Sequence, residues 1–384
     1  MTTAKILIHA LGANMGGAMR HLTNFLPELG RWDANREYTV LVRESFPALE
    51  VAEHIRLERV PDQSCSRWVK RIINDVFELP RRLKREKFST VVSLTNIGPI
   101  WSPTPHILFQ RNALFYCPYY LQRIGGLLKV ETALRRRLAV ASMMQADLVV
   151  TPSQAMGEMI QEVCPETRSR TFVTLYHGFD HHSFEKALDP SYCSLIDRAV
   201  GARLFYPTHP APHKGFDVLF QALADLKRRG VAATLFTTIQ REDWPEHVRE
   251  YEKQVAELDI ADRVVFMGRV PQIQMGALYG ACDLMVYPSL CESFGFSMIE
   301  SMGHALPIVA AGTAINKELC AAGALYYEPL SSKEAADRIE EALFPDIRAR
   351  LIAGGRARVD GFDWGWDRYA REFVSLVDNV LDSL

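Results

Sequence analysis

The chain has 384 residues, which is long for one hydrophobic core and suits two domains of ordinary size. Hydrophobic residues make up 48% and charged residues 23%, a composition typical of a globular protein. The 44 Lys and Arg nearly balance the 46 Asp and Glu, leaving a formal charge of −2. A nucleic-acid partner is therefore not expected, because nucleic-acid binders normally carry a clear basic excess.

Cysteine content and hydropathy indicate the compartment. The seven cysteines are an odd set without a Cys-x-x-Cys pair, which favours reduced thiols over a disulfide framework or a zinc site. No apolar run reaches the ~18–20 residues that span a bilayer, and the N-terminus lacks a signal-peptide core. We therefore expect a cytoplasmic protein and leave open peripheral contact at the inner face of the membrane.

The first half of the chain opens with an apolar run at residues 6–11, a loop containing Gly16 and Gly17, and a helical pattern. Strand, glycine loop and helix in this order are typical of a doubly wound α/β domain. The later runs are apolar on both faces, as parallel strands covered by helices are. They lie at residues 38–42, 91–94, 107–110, 148–151 and 171–175.

A second series of strand candidates, separated by helical patterns, fills the C-terminal half. They lie at residues 204–206, 233–237, 264–267, 284–287, 308–310 and 325–327. The pattern predicts an α/β fold with two Rossmann-like doubly wound domains facing a central cleft, the default place for a binding site. We expect domains over residues 1–185 and 201–362, a linker over 186–200, and a terminal helix over 363–384 that could pack back on the N-terminal domain.

The densest chemical signal lies in residues 283–310. They predict a strand, a turn at Pro288, a loop containing Glu292 and Gly295, a helix and a second strand. Such a loop lies at the carboxyl end of its strand, where open α/β sheets bind ligands, and the helix N-terminus there favours a phosphate. Glu292 could face the hydroxyls of a sugar, and Glu300 could accept hydrogen bonds from a ribose. A plainer alternative is that Ser289-x-x-Glu292 and Ser297-x-x-Glu300 are capping boxes.

The whole stretch resembles the Glu-x7-Glu signature of the retaining glycosyltransferase family 4, which has the GT-B fold. The family pattern is Pro-Ser, then Glu-x-Phe-Gly-x-x-x-x-Glu-Ala-Met, then Pro-Ile/Val-Val-Ala. It stands here as Pro288-Ser289, Glu292-Ser293-Phe294-Gly295, Glu300-Ser301-Met302 and Pro307-Ile308-Val309-Ala310. Ser301 replaces the usual Ala. The resemblance implies that Glu292 is catalytic and that Ser293, Phe294, Gly295 and Glu300 bind a nucleotide-sugar donor.

Other segments extend the resemblance. Lys214 stands where the family has a lysine facing the donor diphosphate, although a lone lysine in a turn is usually just solvated. The resemblance implies that Lys214 is catalytic, neutralising the charge that builds on the leaving group. His209 stands in place of a common arginine and would be a weaker, pH-dependent cation. Either His209 helps to bind the donor phosphates, or Lys214 and the helix terminus bind them alone. Gly268 and Arg269 resemble the turn that lines the nucleotide base. His213 is predicted to be a surface turn residue.

The N-terminal half resembles the family more weakly. Gly16 and Gly17 resemble its glycine loop, where a backbone without Cβ could approach the donor. Gln110 stands where many relatives have a histidine, and it is placed on the acceptor side. Its amide could hydrogen-bond a sugar hydroxyl but cannot shuttle a proton, so no histidine base is assigned. Arg111 and Asn112 could face the acceptor, or they could be ordinary surface residues.

The resemblance implies retaining transfer of a hexosyl unit from a UDP- or GDP-linked sugar to a glycan or lipid-linked acceptor, in cell-surface polysaccharide assembly. No cofactor or metal is expected, because the chain has no Asp-x-Asp. Alternatives are a nucleotide-sugar epimerase of the same architecture, a catalytically silent sugar-nucleotide-binding subunit and, more remotely, a dehydrogenase. Basic runs at residues 81–87 and 135–137 indicate either solvated helix faces or attraction to an anionic membrane.

Overall fold

The computed structural model describes residues 4–13, 16–61, 73–179, 187–363 and 365–382. Contacts within the chain divide it into two compact units. The first unit comprises Met1–Cys117, Gly125–Gly178 and Trp364–Leu384, and the second comprises Pro118–Ile124 and Phe179–Asp363. The glycine-loop residues Asn14 and Met15 and part of the predicted linker lie outside the described residues.

The first unit is built on a parallel sheet of seven strands in the order β3-β2-β1-β4-β5-β6-β7. The strands are β1 Lys5–His9, β2 Glu37–Arg43, β3 Ile55–Val60, β4 Thr90–Ser93, β5 His106–Phe109, β6 Leu148–Thr151 and β7 Phe172–Thr174. Its helices are α1 Gly16–Trp32, α2 Leu79–Arg85, α4 Gly126–Gln145, α5 Gln154–Val163 and α14 Trp366–Asp382. Strands β1 and β4–β6 are almost wholly buried, which explains their apolar runs.

The second unit repeats the plan with six parallel strands in the order β10-β9-β8-β11-β12-β13. The strands are β8 Ala202–Tyr206, β9 Ala233–Thr237, β10 Val264–Phe266, β11 Leu284–Tyr287, β12 Ile308–Ala311 and β13 Ala324–Tyr327. Its helices are α3 Pro118–Arg123, α6 Pro190–Ile196, α7 Phe216–Arg228, α8 Pro245–Glu257, α9 Met275–Ala281, α10 Phe296–Gly303, α11 Ala314–Cys320, α12 Ser332–Ala342 and α13 Pro345–Asp360. The prediction of two Rossmann-like α/β domains is confirmed.

The boundaries of the units differ from the predicted ones. The chain passes from the first unit to the second after Gly178, and residues 187–200 of the predicted linker belong to the second unit. They contain α6, whose N-terminus is capped by the Asp189 carboxylate, and the Tyr192 hydroxyl donates to the Arg269 carbonyl oxygen over 3.1 Å. Helix α3 also belongs to the second unit, although the chain on both sides of it belongs to the first.

The C-terminal helix α14, whose docking side the sequence left open, lies in the first unit. It packs against α1, where the Phe25 ring meets the Phe373 ring edge to face with centroids 4.8 Å apart. Arg36 pairs with Asp378, and the Arg368 guanidinium donates to the Tyr176 carbonyl oxygen over 2.7 Å. None of the helices in the described part of the chain is long and apolar enough to cross a bilayer.

Candidate functional site

The second sheet brings two predicted site residues together. Strand β8 lies next to β11, and the chain winds outward from this pair in opposite directions, through β9 on one side and β12 on the other. Carboxyl ends of parallel strands at such a reversal form the ligand-binding crevice of open α/β sheets. Lys214 follows β8 and Glu292 follows β11, and the Lys214 ammonium donates to Glu292 Oε1 over 2.7 Å. The side chains are only 9% and 15% exposed.

A tight turn presents Lys214. A 3₁₀ turn at Pro212–Lys214 leads into Gly215, which has φ +67°, and then into α7. A Cβ at Gly215 would collide with the Pro288 carbonyl oxygen, so the close approach of the two loops requires glycine. The Leu290 N–H donates to the His213 carbonyl oxygen over 2.8 Å, and the Tyr206 hydroxyl donates to the Lys214 carbonyl oxygen over 3.0 Å. The backbone of the turn is therefore hydrogen-bonded both to β8, through Tyr206, and to the loop after β11, through Leu290.

The loop of Glu292 is also held by hydrogen bonds. The Ser289 hydroxyl donates to Glu292 Oε1 over 2.6 Å, and the Asn316 amide donates to the Ser289 carbonyl oxygen over 3.3 Å. Helix α10 begins only at Phe296, after Gly295 at φ +95°, and no side chain caps it. The capping-box alternative is therefore wrong for both glutamates, since neither Ser289 nor Ser297 is an N-cap.

Burial and charge decide the ionisation of this site. Burial opposes ionisation of the Glu292 carboxyl, but Lys214, His213 and the Ser289 hydroxyl outweigh it and lower its pKa to about 2. Burial and the nearby Lys214 cation lower the pKa of His213 to about 3, and they also lower the pKa of His209. Near neutral pH the Glu292 carboxyl is therefore ionised and the two imidazoles are uncharged.

His213 and His209 are placed differently from what the sequence suggested. The prediction that His213 is a surface turn residue is wrong, because it is only 6% exposed and the Tyr120 ring covers it edge to face at 5.7 Å. The His209 ring stacks on Trp244, with centroids 5.9 Å apart and an interplanar angle of 28°. Sequence reasoning missed Tyr120 and Trp244, since neither belongs to a recognised motif.

Glu300 lies on α10 and is 3% exposed. Its carboxylate accepts from the Tyr279 hydroxyl over 2.7 Å and from the Gln272 amide over 3.2 Å. These two bonds orient the Glu300 carboxylate. Neither Tyr279 nor Gln272 was singled out from the sequence.

The remaining donor-side residues lie in the same unit. The Arg269 N–H donates to Gln240 Oε1 over 2.7 Å. Gly268 has φ +79°, and a Cβ at this position would lie 2.8 Å from the same oxygen. Phe294 is 2% exposed and its ring packs on Phe296, so its side chain belongs to the core instead of facing a donor. Ser293 lies beside it in the loop before α10.

In the first unit, Gln110 is fully buried at the end of β5. Its amide nitrogen donates to the Asn96 carbonyl oxygen over 2.7 Å, and its amide oxygen accepts from the Tyr116 hydroxyl over 3.0 Å. The prediction that Gln110 faces an acceptor is therefore corrected, because both the amide nitrogen and the amide oxygen are used in hydrogen bonds that fix the end of β5. Asn112 caps the 3₁₀ turn Ala113–Phe115, accepting from the Leu114 N–H.

Arg111 and the two glycines complete the predicted set. The Arg111 guanidinium lies 3.3 Å from His177 Nε2, and burial lowers its pKa. Gly16 and Gly17 are the first residues of α1, which follows β1 in the first unit. The predicted roles of these first-unit residues rest only on the resemblance to the family.

Parts of this chain are similar in sequence to known proteins. Residues 203–358 match the family model described as glycosyl transferases group 1. The D-inositol 3-phosphate glycosyltransferase of Frankia alni is 30% identical over 174 residues, which are 43% of this chain and 42% of that protein. The chain thus matches less than half the length of this relative.

Solved structures are similar over the whole chain. Sucrose-phosphate synthase from Thermosynechococcus elongatus has a TM-score of 0.75 at 16% identity, covering 99% of this chain and 100% of that chain. Anabaena HepE, solved in complex with UDP-glucose, has a TM-score of 0.72 at 18% identity, covering 98% and 99%. At these identities the likeness shows the fold.

The fold is that of the GT-B glycosyltransferases, with two Rossmann-like units each built on a parallel sheet. Within this fold, the segment that matches the glycosyl transferases group 1 model, residues 203–358, carries Lys214, Glu292 and Glu300. This match supports the glycosyltransferase class that the Glu-x7-Glu pattern predicts, and the finer family 4 assignment stays a prediction.

Proposed function

We propose that this chain is a retaining, metal-independent glycosyltransferase of family 4. It moves a hexosyl unit from a UDP- or GDP-linked sugar to a glycan or lipid-linked acceptor, in the cytoplasm, during assembly of a cell-surface polysaccharide. The observation that carries the proposal is the Lys214–Glu292 pair at the carboxyl ends of β8 and β11, where the strand order reverses, within the segment that matches the group 1 model. The solved complex of HepE with UDP-glucose supports a nucleotide-sugar donor.

In the proposed reaction, the bond between the anomeric carbon and the diphosphate oxygen breaks, and its electron pair leaves with the diphosphate. The acceptor hydroxyl attacks the same face of the sugar, and its proton passes to the departing phosphate oxygen, so configuration is retained. Lys214 stabilises the charge that develops on the leaving group. Its ammonium has three donors, one directed to Glu292, so it can bind phosphate oxygens without breaking the pair.

The other donor contacts follow from the second unit. The N–H groups at the start of α10, after Ser293 and Gly295, favour a phosphate, and together with Lys214 they would take the place of Mg²⁺. Glu292 binds hydroxyls of the transferred sugar, Glu300 binds the ribose, and the turn at Gly268 and Arg269 lines the base. His209 lies with its ring on Trp244 and becomes protonated when the diphosphate binds, because a nearby anion favours the charged imidazole.

The acceptor is proposed to meet the first unit. Arg111 and Asn112 contribute polar groups there, and Gly16 and Gly17 allow the backbone to come close to the sugar. Transfer to a glycan or lipid-linked acceptor distinguishes this proposal from an epimerase, which would act without any acceptor.

A thermal-shift panel of UDP, GDP, ADP, CMP and their common sugars, with EDTA present, tests the donor site. We expect a shift of several degrees with UDP or GDP and their sugars, because a ligand stabilises the state that binds it. Product analysis of a binding donor then separates the candidates. Transfer to an acceptor with retained configuration supports the proposal, conversion of the sugar without acceptor indicates an epimerase, and binding without turnover indicates a silent subunit. If none of the nucleotides or nucleotide sugars in the panel shifts the melting temperature, the proposal is overturned.

Peripheral contact with an anionic membrane is proposed for α4. Its first turns expose apolar side chains beside Lys129: Leu127 is 89% exposed and Val130 is 67% exposed. By contrast, the basic run at residues 81–87 is largely paired, since Arg82 forms a two-bond contact with Glu58. Flotation with phosphatidylglycerol vesicles should recover the wild type but less of Leu127→Ser. Equal amounts left in the soluble fraction, with and without anionic lipid, would contradict membrane contact.

A further inference from the structure

Helix α3, a short segment bounded by chain that belongs to the first unit, packs on the turn that presents Lys214. Its last residue, Arg123, makes contacts on both sides of that turn. Arg123 Nη1 donates to the Pro212 carbonyl oxygen over 3.1 Å. The same guanidinium forms a two-bond ion pair with the Asp217 carboxylate, over 3.2 and 3.0 Å. Pro212 precedes Lys214 by two residues and Asp217 follows it by three.

Tyr120 makes the second contact of α3 with this turn. Its ring lies edge to face on His213, and both residues are more than nine-tenths buried. The His213 carbonyl oxygen is the acceptor that joins the turn to the loop of Glu292 through Leu290. The turn is therefore contacted by two elements: helix α3 packs on its side chains, and the Glu292 loop forms a hydrogen bond with its backbone.

The geometry explains why such a support is needed. The turn at Pro212–Lys214 is a single 3₁₀ turn without a side-chain cap, and it ends in the left-handed Gly215. Short 3₁₀ turns have poor hydrogen-bond geometry and little stability of their own. A planar guanidinium that bonds a backbone oxygen and a carboxylate at once constrains both ends of the turn, because its donors are fixed in one plane.

We propose that Arg123 is a positioning residue for the donor site: by bridging Pro212 and Asp217 it holds the turn that directs Lys214 at the donor diphosphate. This inference rests on the proposed function, in which Lys214 binds that group. Arg123 acts through Lys214 and does not touch the donor itself. Loss of Arg123 should therefore weaken binding of the diphosphate, which Lys214 contacts. It should affect binding of the base and the ribose far less, because the residues that contact them lie on other loops.

The test is calorimetric binding of UDP and UMP, or of GDP and GMP, whichever pair the wild-type protein prefers. Arg123→Gln should weaken diphosphate binding roughly three- to tenfold, a loss of the size expected for one misplaced charge-assisted contact. Monophosphate binding should change far less. Asp217→Asn, which keeps Arg123 but removes its carboxylate partner, should reproduce the loss, and Arg123→Lys should restore part of it. Arg228→Gln is the matched control, because Arg228 is an exposed arginine on α7 paired with Asp225.

A double-mutant cycle separates positioning from general destabilisation. If Arg123 works through Lys214, then Arg123→Gln should add little to the diphosphate loss already caused by Lys214→Met. Fully additive losses, or equal losses of diphosphate and monophosphate binding, would overturn the inference. So would unchanged diphosphate binding in Arg123→Gln. If the wild type binds none of the nucleotides, the proposed function fails first, so the two failures are distinguishable.

Discussion

Lys214 and Glu292 form a salt bridge of 2.7 Å although 78 residues separate them in the chain. The pair exists because two parallel strands that are neighbours in the sheet, β8 and β11, end at the same edge. Tight turns after both strands then direct the side chains at each other. The contact places a cation and a carboxylate where the proposed reaction needs to bind a diphosphate and a sugar.

Lys214→Met is expected to lower turnover about 100-fold or more, because removing one fixed charge-stabilising group typically costs that much. Glu292→Gln should also lower turnover, and the double variant should lose less than the product of the two single losses, since the residues share one contact. Initial rates with saturating donor measure this. Lys253→Met, which removes an exposed lysine paired with Glu257, is the control. Turnover in Lys214→Met close to that of the control would contradict the assignment.

Gly215→Ala is expected to destabilise the second unit more than an equivalent change at Gly230. Both glycines have positive φ, +67° and +79°, so alanine is strained at each by about 1 kcal/mol or more. At Gly230 a Cβ would meet open space, whereas at Gly215 it would meet the Pro288 carbonyl oxygen. Urea unfolding of the two variants isolates the collision. Equal losses of unfolding free energy would show that the two loops can separate at no cost.

The sheet strands were predictable where burial imposes continuous apolar runs. Twelve of the strands in the described structure coincide with predicted runs. Strand β3, Ile55–Val60, was missed because it lies at the sheet edge and carries Arg56, Glu58 and Arg59 among its apolar residues. An edge strand need not be apolar on both faces, so the run-based criterion fails there.

The candidate site was predictable only as far as local motifs reach. Lys214, Glu292 and Glu300 belong to recognisable segments, and β8 and β11 bring the first two together. Their supports do not belong to such segments: Arg123 reaches Asp217 from 94 residues away, and Tyr279 reaches Glu300 from 21 residues away. Contacts of this kind depend on packing between elements, which no short pattern in one sequence encodes. Gln110 shows the converse, since a motif position that suggested substrate contact turned out to hold a strand end.

Glu300→Gln is expected to raise the apparent donor constant more than it lowers turnover. The variant keeps a hydrogen-bonding group of the same shape beside Tyr279, but it loses the charge that strengthens acceptance from ribose hydroxyls. Because the ribose is far from the breaking bond, the lost contact is shared by ground and transition states, and the change falls on KM. Steady-state kinetics with varied donor measure it. Glu257→Gln, at an exposed position of α8, should leave both constants unchanged, and an unaltered donor constant in Glu300→Gln would refute the ribose role.

His21→Phe is expected to make the first unit less sensitive to acid. His21 is fully buried among the rings of Phe25, Trp366 and Tyr369, and neither ring nitrogen has a hydrogen-bond partner among the described residues. Burial, with the charge of Arg111, holds the pKa of His21 well below its usual value.

The sign follows from proton binding. Well above pH ~6.5 the imidazole is neutral in both folded and unfolded chains, so it contributes no pH dependence. As the pH falls below this value the unfolded chain takes up a proton that the folded chain does not, and stability declines. By pH 5 a single such histidine costs ~2 kcal/mol of unfolding free energy.

Urea unfolding of the wild type and His21→Phe at pH 7 and pH 5 measures this cost. Phenylalanine keeps a ring among the aromatic neighbours of His21 and has no proton to bind, so the variant should gain on the wild type by up to ~2 kcal/mol between the two pH values. His247→Gln, which removes an exposed histidine of α8, controls for the general effect of losing an imidazole. If the gap between His21→Phe and the wild type stays constant from pH 7 to pH 5, His21 is protonated equally in both states and the buried neutral imidazole is the wrong description.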